Sequence, residues 1–304
     1  SHIPSDSSVP PAILEMQGAE AADLLAQPIR LPCGAVLPNR ICKAAMTEGL
    51  GDEWNRATTR HDALYRAWSK GGAGLLITGN FQVDRRYVER PNNVCIDGKQ
   101  DEDRLSRLRS YAKAATINGN HCWPQISHAG RQCDIKVNKV GLAPSAIKSN
   151  NLGGYSSLLP SWVPKAMTLD DIEDTKERFV YAASVCQEVG FTGIQLHAAH
   201  GYLLSSFLNP NANQRTDQYG GSVHNRSRLL LEIVAGIRKA CGSKFPIGVK
   251  LNSSDFQKGG LTFEEAMEVA ELLDNAGIDL LEISGGNYEN PAMASGDLLG
   301  VGVS

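Results

Sequence analysis

No apolar run in this sequence approaches the length of a membrane span. Runs such as Leu75-Leu76-Ile77 and Leu229-Leu230-Leu231 cover only a few residues each, whereas a spanning helix needs about 20. No basic-then-apolar leader opens the chain, so a cytoplasmic protein is the expectation. Lys and Arg never run longer than a pair, and 30 of them face 33 Asp+Glu. Neither nucleic acid nor a membrane surface is therefore an expected partner. The seven cysteines, at 33, 42, 95, 122, 133, 186 and 241, are odd in number and show no C-x-x-C spacing. That argues against a disulfide framework or structural zinc, and for reduced thiols. No G-x-G-x-x-G turn follows the first predicted strand; Gly71-Gly72-Ala73-Gly74 precedes a strand instead. An open dinucleotide-binding sheet is disfavoured on that ground.

What remains is an ordinary globular composition. Of 304 residues, 42% are hydrophobic and 21% charged, which excludes a disordered tail, a collagen repeat and a coiled coil. Residues 1–27 form a small, polar, Pro-containing N-terminal extension, with a short helix expected around 13–25. From residue 40 onward, short apolar runs alternate with longer segments of helical period. The runs at 41–45, 75–78, 121–126, 193–197, 247–251 and 280–284 are too short for helices and read as strands buried on both faces.

The segments between them carry helix signals. Thr168-x-x-Asp171 and Thr262-x-x-Glu265 are capping boxes. After the first, Ile172, Thr175, Phe179, Ala182, Cys186 and Val189 recur at helical spacing, with Gly190 at the end. After the second, Phe263, Ala266, Met267, Ala270 and Leu273 form the expected buried stripe, closed by Gly277. A third helix is expected over 225–240. Such alternation predicts an α/β protein with a parallel sheet. Thr47, Thr78, Gln125, His197, His200 and Lys250 fall at strand C-terminal ends, the layout of a barrel active site.

The strongest local feature is His197-Ala198-Ala199-His200-Gly201-Tyr202. On a helical turn, spacing of three would place both imidazoles on one side. Two N–H donors could then grip one carbonyl oxygen, with the Tyr202 phenol nearby as a proton donor. A metal pair, or two histidines satisfied in the core, are the competing readings. No third ligand stands at a spacing that favours zinc, so no metal is expected.

The same motif continues through Asn213-Gln214-Arg215-Thr216-Asp217-Gln218-Tyr219-Gly220-Gly221 to Asn225-Arg226. With Asn39-Arg40-Ile41, Met46-Thr47, Gly74–Gly79, Gln125-Ile126-Ser127-His128-Ala129-Gly130-Arg131, Ile247–Lys250 and Leu281–Gly286, it resembles the Old Yellow Enzyme family over about residues 28–290. The resemblance implies a (β/α)8 TIM-barrel and an FMN-dependent oxidoreductase. It implies hydride transfer from NAD(P)H through flavin N5 to an α,β-unsaturated carbonyl substrate. Tyr202 would then be the proton donor, with His197 and His200 binding the substrate oxygen. Ala44, Ala45, Met46, Thr47, Gly79, Gln125 and Lys250 would bind the cofactor. Gly79 would lie under the ring, and Lys250 would stand beside its pyrimidine edge. His128 and Arg131 are read as loop organisers, and Asp217, Tyr219 and Arg226 as scaffolding.

Two residues depart from the family pattern. Lys250 stands where Arg is common, which keeps the charge but loses the planar fork. Ala45 stands where Pro is common. Only 20 residues follow Ser284, too few for two more βα units of at least 30 or so residues each. The expected architecture is therefore a 28–304 barrel domain truncated after strand 6. Its phosphate-binding end would be missing, and its open sheet edges would invite self-association. A flavin-free, inactive interaction protein is the alternative.

Overall fold

The computed structural model describes residues 18–149 and 163–289. The start of the N-terminal helix expected from residue 13 lies outside them. A helix, α1, covers Gly18–Ala26. A short antiparallel pair follows, β1 (Ile29–Arg30) with β2 (Val36–Leu37).

Six strands and their helices form the body. They are β3 (Cys42–Lys43), β4 (Leu75–Gln82), β6 (His121–Ser127), β9 (Ile194–Ala198), β10 (Ile247–Asn252) and β11 (Leu280–Ser284), with β5 (Val94–Cys95) beside the end of β4. All pair in parallel, in the spatial order β11-β10-β9-β6-β4-β3. The path never reverses, so there is no switch point of the doubly wound kind. The helices α2 (Thr59–Lys70), α3 (Glu102–Ala115), α4 (Leu169–Glu188), α6 (Val223–Cys241) and α7 (Phe263–Asn275) are the crossovers. A six-residue α5 (Leu203–Leu208) and the small pair β7 (Leu142–Ala143) with β8 (Lys165–Ala166) stand outside this rhythm. The architecture is α/β of the (β/α)8 type, with six successive barrel strands among the described residues.

Local chemistry explains the helix boundaries. Thr168 with Asp171, and Thr262 with Glu265, form the reciprocal capping boxes. Each satisfies two donors that the first helical turn leaves orphaned. The expected buried stripe of α4 is buried throughout. The stripe expected on α7 needs correction: Phe263 is 59% and Met267 49% exposed, and Ala266, Val269 and Leu273 form the buried face. The apolar positions of α7 extend further round the helix than the sheet covers.

The sheet interior shows why some residues are small. Trp123 is fully buried. A Cβ on Gly193 would stand 2.5 Å from its indole nitrogen, and one on Gly248 3.1 Å from its ring. Three neighbouring strands therefore accept one indole only because two of them offer glycine. Leu31 and Leu37 of the β1–β2 hairpin pack with Trp123, Leu75 and Ile77 and close the base of this interior.

Pro124 lies inside the central strand β6, where it gives no N–H. The β4–β6 register slips at the same place, from Ile77↔Trp123 to Asn80↔Gln125. The bulge absorbs the lost ladder bond, and the Thr78 hydroxyl accepts from the Gln125 backbone N–H at 3.1 Å.

Candidate active site

Strand register, more than sequence spacing, assembles the site. Side chains on one face of a strand recur every second residue. Asn80, Gln125 and Gln195 are register partners on β4, β6 and β9. Two residues further along, His197, Lys250 and Glu282 are partners on β9, β10 and β11. The two rows stack near the C-terminal ends of the strands. A cavity of about 110 Å³ sits there, lined by Ala45, Met46, Thr47, Asn80, Glu89, Gln125, His197, His200, Tyr202 and Lys250.

A continuous polar chain crosses its floor. Gln125 Nε2 donates to Gln195 Oε1 at 2.6 Å, and Gln195 Nε2 donates to Glu282 Oε2 at 2.7 Å. Glu282 Oε1 in turn pairs with Lys250 Nζ at 2.9 Å. On the opposite wall, Glu89 Oε2 accepts from the Thr47 hydroxyl at 2.8 Å and from Asn80 Nδ2 at 2.5 Å. Arg90 balances that carboxylate through Oε1 at 2.7 Å. The Asn80 Oδ1 is buried without a partner, an acceptor free to receive a ligand's N–H.

The two histidines do not share a helical turn. His197 is the last residue but one of β9, and His200 lies in the loop beyond it with a left-handed backbone, φ +62°. This corrects the expectation from spacing: a tight turn after the strand, not helical period, folds the second imidazole back. The His200 N–H donates to Asn252 Oδ1 at 3.2 Å, and its Nε2 lies 2.6 Å from the Ser284 hydroxyl. The ring centroids of His197 and His200 are 5.0 Å apart, and those of His197 and Tyr202 4.8 Å.

Burial, with the Lys250 charge adding to it, pushes the His200 imidazole down to about 3 and that of His197 well below its ordinary value. Both rings are neutral at pH 7. His197 Nδ1 accepts the Ala199 N–H at 3.2 Å, so its single proton sits on Nε2. Burial, with the Glu89 carboxylate adding to it, raises the Tyr202 phenol far above its ordinary range. Its hydroxyl lies 2.7 Å from that of Tyr288. Tyr202 stands at the N-terminal boundary of α5 and is buried among Ala129 and Cys133.

Eight of the ten sequence-predicted site residues line the cavity. The other two are placed elsewhere. Ala44 is exposed. Gly79 is buried beneath the strand-crossing segment 46–48: a Cβ there would stand 2.5 Å from the Met46 carbonyl oxygen and 2.3 Å from Glu48 Oε2. Its missing side chain makes room for this chain's own backbone, and its N–H donates to Glu48 Oε1 at 2.9 Å. Gln195 and Glu282 were missed, although each stands two residues before a polar residue of the same face. Glu89 was missed because it returns from the loop after β4 with no periodic signal. Among the described residues no cluster of three His, Cys, Asp or Glu side chains could hold a metal.

The scaffold around the site is built from arginine. Arg226 donates to the Leu208 and Gly221 carbonyls and pairs with Glu265 of α7 at 2.6 Å. Arg215 pairs with Asp217, whose Oδ1 accepts the Tyr219 N–H.

Comparison with known proteins gives the family and the fold. Residues 25–293 match the sequence profile of the NADH:flavin oxidoreductase / NADH oxidase family. The NADH-dependent flavin oxidoreductase iliE of Hypocrea jecorina is 35% identical over 279 residues, covering 88% of this chain and 69% of the relative. An NADH oxidase of Thermoanaerobacter brockii is 36% identical, covering 84% of this chain and 38% of the relative. The chain thus spans from little over a third to about two thirds of these relatives. Among solved structures, a 2-naphthoyl-CoA reductase superposes with TM-score 0.81 at 28% identity, over 88% of this chain and 41% of that one. An old yellow enzyme homologue from Zymomonas mobilis does so with TM-score 0.76 at 27% identity, over 88% and 77%. With the profile running through every barrel strand from β3 to β11, and through the loops that carry His200 and Tyr202, the chain belongs to the NADH:flavin oxidoreductase / NADH oxidase family.

Proposed function

We propose that this chain carries the ring-binding and proton-handling part of an FMN-dependent oxidoreductase that reduces an α,β-unsaturated carbonyl compound at the expense of NADH or NADPH. The observation that carries the reading is the convergence of two neutral imidazoles and a protonated phenol on the cavity that Thr47, Gln125 and Lys250 also line.

The donor set fits the polar edge of a flavin. Gln125 offers an amide, Lys250 a cation, Thr47 a hydroxyl and Asn80 Oδ1 a buried acceptor with no partner. Bound FMN would supply the hydride, taken from a nicotinamide donor. Thr47, Gln125 and Lys250 would hold it, and Glu282 would keep Lys250 pointed inward.

His197 would donate from Nε2 to the substrate carbonyl oxygen, and His200 would donate beside it. Neutral donors suit this task, because they stabilise the developing oxyanion without giving up a proton. Tyr202 would deliver the proton to the α-carbon. The Tyr288 hydroxyl, already hydrogen-bonded to it, is placed to help restore that proton.

The test is the visible spectrum of the purified chain after incubation with excess FMN and desalting. A retained, shifted flavin band, with NADH-dependent loss of cyclohexenone, supports the reading. A colourless protein without turnover refutes it for this chain.

A further inference from the structure

A second cavity has a volume of about 450 Å³. Arg131, Ile147, Lys148, Asn211, Gln257, Lys258 and Glu289 line it. Three of the seven are cationic and one is acidic. Arg131 is the unusual member. It is 7% exposed, its Nε is buried without a partner, and its guanidinium makes no hydrogen bond within the described residues. Its carboxylate neighbour, Glu289, lies 3.6 Å away, beyond hydrogen-bond reach. Glu289 is already engaged by Gln257 Nε2 at 2.8 Å and by the Ser149 hydroxyl at 2.5 Å. Glu289 balances the charge at that distance, but a buried guanidinium nitrogen without an acceptor is costly unless a ligand supplies one.

The wall between the two cavities is thin. Tyr288, whose hydroxyl meets that of Tyr202, is the residue before Glu289. Asn287 bridges to His200 and donates to Gln257 at 3.0 Å. Gln132, the residue after Arg131, donates to the His200 carbonyl at 2.9 Å. The two cavities share no lining residue, and these contacts of residues 132, 287 and 288 are what links them.

We propose that Arg131, Lys148 and Lys258 form an oxyanion site that takes a phosphate or carboxylate group of a ligand extending from the neighbouring cavity. Arg131 supplies the fixed fork, and the two exposed lysines supply adaptable charge. The proposal rests on the functional reading above only in what occupies the first cavity.

Inorganic pyrophosphate is the probe, titrated calorimetrically into the chain at constant ionic strength. One site is expected, with binding at least about tenfold weaker in Arg131→Gln and in Lys258→Gln, since a charge-assisted hydrogen bond is lost in each. Lys258 is exposed, so its variant reports on binding even where Arg131→Gln fails to fold. No binding by the unaltered chain, or equal binding by the folded variants, overturns the proposal. Competition by pyrophosphate against NADH names the nucleotide as the source of the anion. Competition only against an enone bearing a terminal carboxylate names the substrate. Arg131-dependent binding in a chain without turnover upholds the anion site and refutes the catalytic reading.

Discussion

Burial holds three imidazoles of this protein in the neutral form. Two of them, His197 and His200, line the cavity; the third, His128, is stacked on Tyr87, where burial pushes its ring down to about 4. In the unfolded chain each would titrate near 6.5. As pH falls from about 6.5 toward 4, the unfolded state therefore takes up protons that the folded state refuses, and stability declines. At pH 5, His128 and His200 should each cost about 2 kcal/mol relative to neutral pH by that linkage. Urea midpoints at pH 7 and pH 5 measure the loss, and His128→Asn should recover part of it. At the same scale, Tyr202→Phe removes the proposed proton donor but leaves the flavin contacts intact. Enone reduction by the reduced protein should fall at least a hundredfold, as removal of a general acid does. NADH oxidation before that step should be unchanged, which stopped-flow absorbance separates.

At the scale of elements, the critical contact is a crossing. The segment after β3 passes over β4 at Gly79, bringing Thr47 to Glu89 and Glu48 to Tyr65. Gly79→Ala puts a methyl group into backbone and a carboxylate. The segment must lift, at a cost of about 1–3 kcal/mol from overpacking and with loss of the Thr47–Glu89 bond. Thermal unfolding measures the first effect, and weaker FMN retention would report the second. The family resemblance implies a cofactor contact at Gly79; the packing shows a further reason for glycine there, room for segment 46–48. Periodicity read the six main strands within a few residues, because alternation and length are local properties. It misplaced the buried face of α7, because which apolar side chains meet the sheet depends on the tilt of the helix against it.

At the scale of the whole molecule, one carboxylate joins distant parts of the chain. Asp279 Oδ1 accepts the Cys33 N–H at 2.8 Å, 246 residues away in sequence. Its Oδ2 accepts from the Ile247 N–H and pairs with Arg238, each at 2.8 Å. The hairpin that closes the base of the barrel is thereby tied to β10, β11 and α6. Asp279→Ala would leave two backbone donors without an acceptor and take the counter-charge from Arg238, which keeps only its carbonyl partners. A loss of about 3–5 kcal/mol is expected, as for breaking a buried ion pair, and chemical denaturation of the variant tests it. A loss below 1 kcal/mol would show that the hairpin closes the barrel without this tie.

The strand-and-helix rhythm, the capping boxes and the motif carrying His197, His200 and Tyr202 were all legible in the amino-acid order. Each is written within a few neighbouring residues, where propensity and hydrogen bonding act. The polar chain from Gln125 through Gln195 and Glu282 to Lys250 was not, since it depends on parallel register between strands far apart in sequence. Nor was the return of Glu89 to Thr47, or the unpartnered Nε of the buried Arg131. Those arrangements come into being only when the strands close side by side. Burial then strengthens each charge and sets the cost of leaving any of them unpaired.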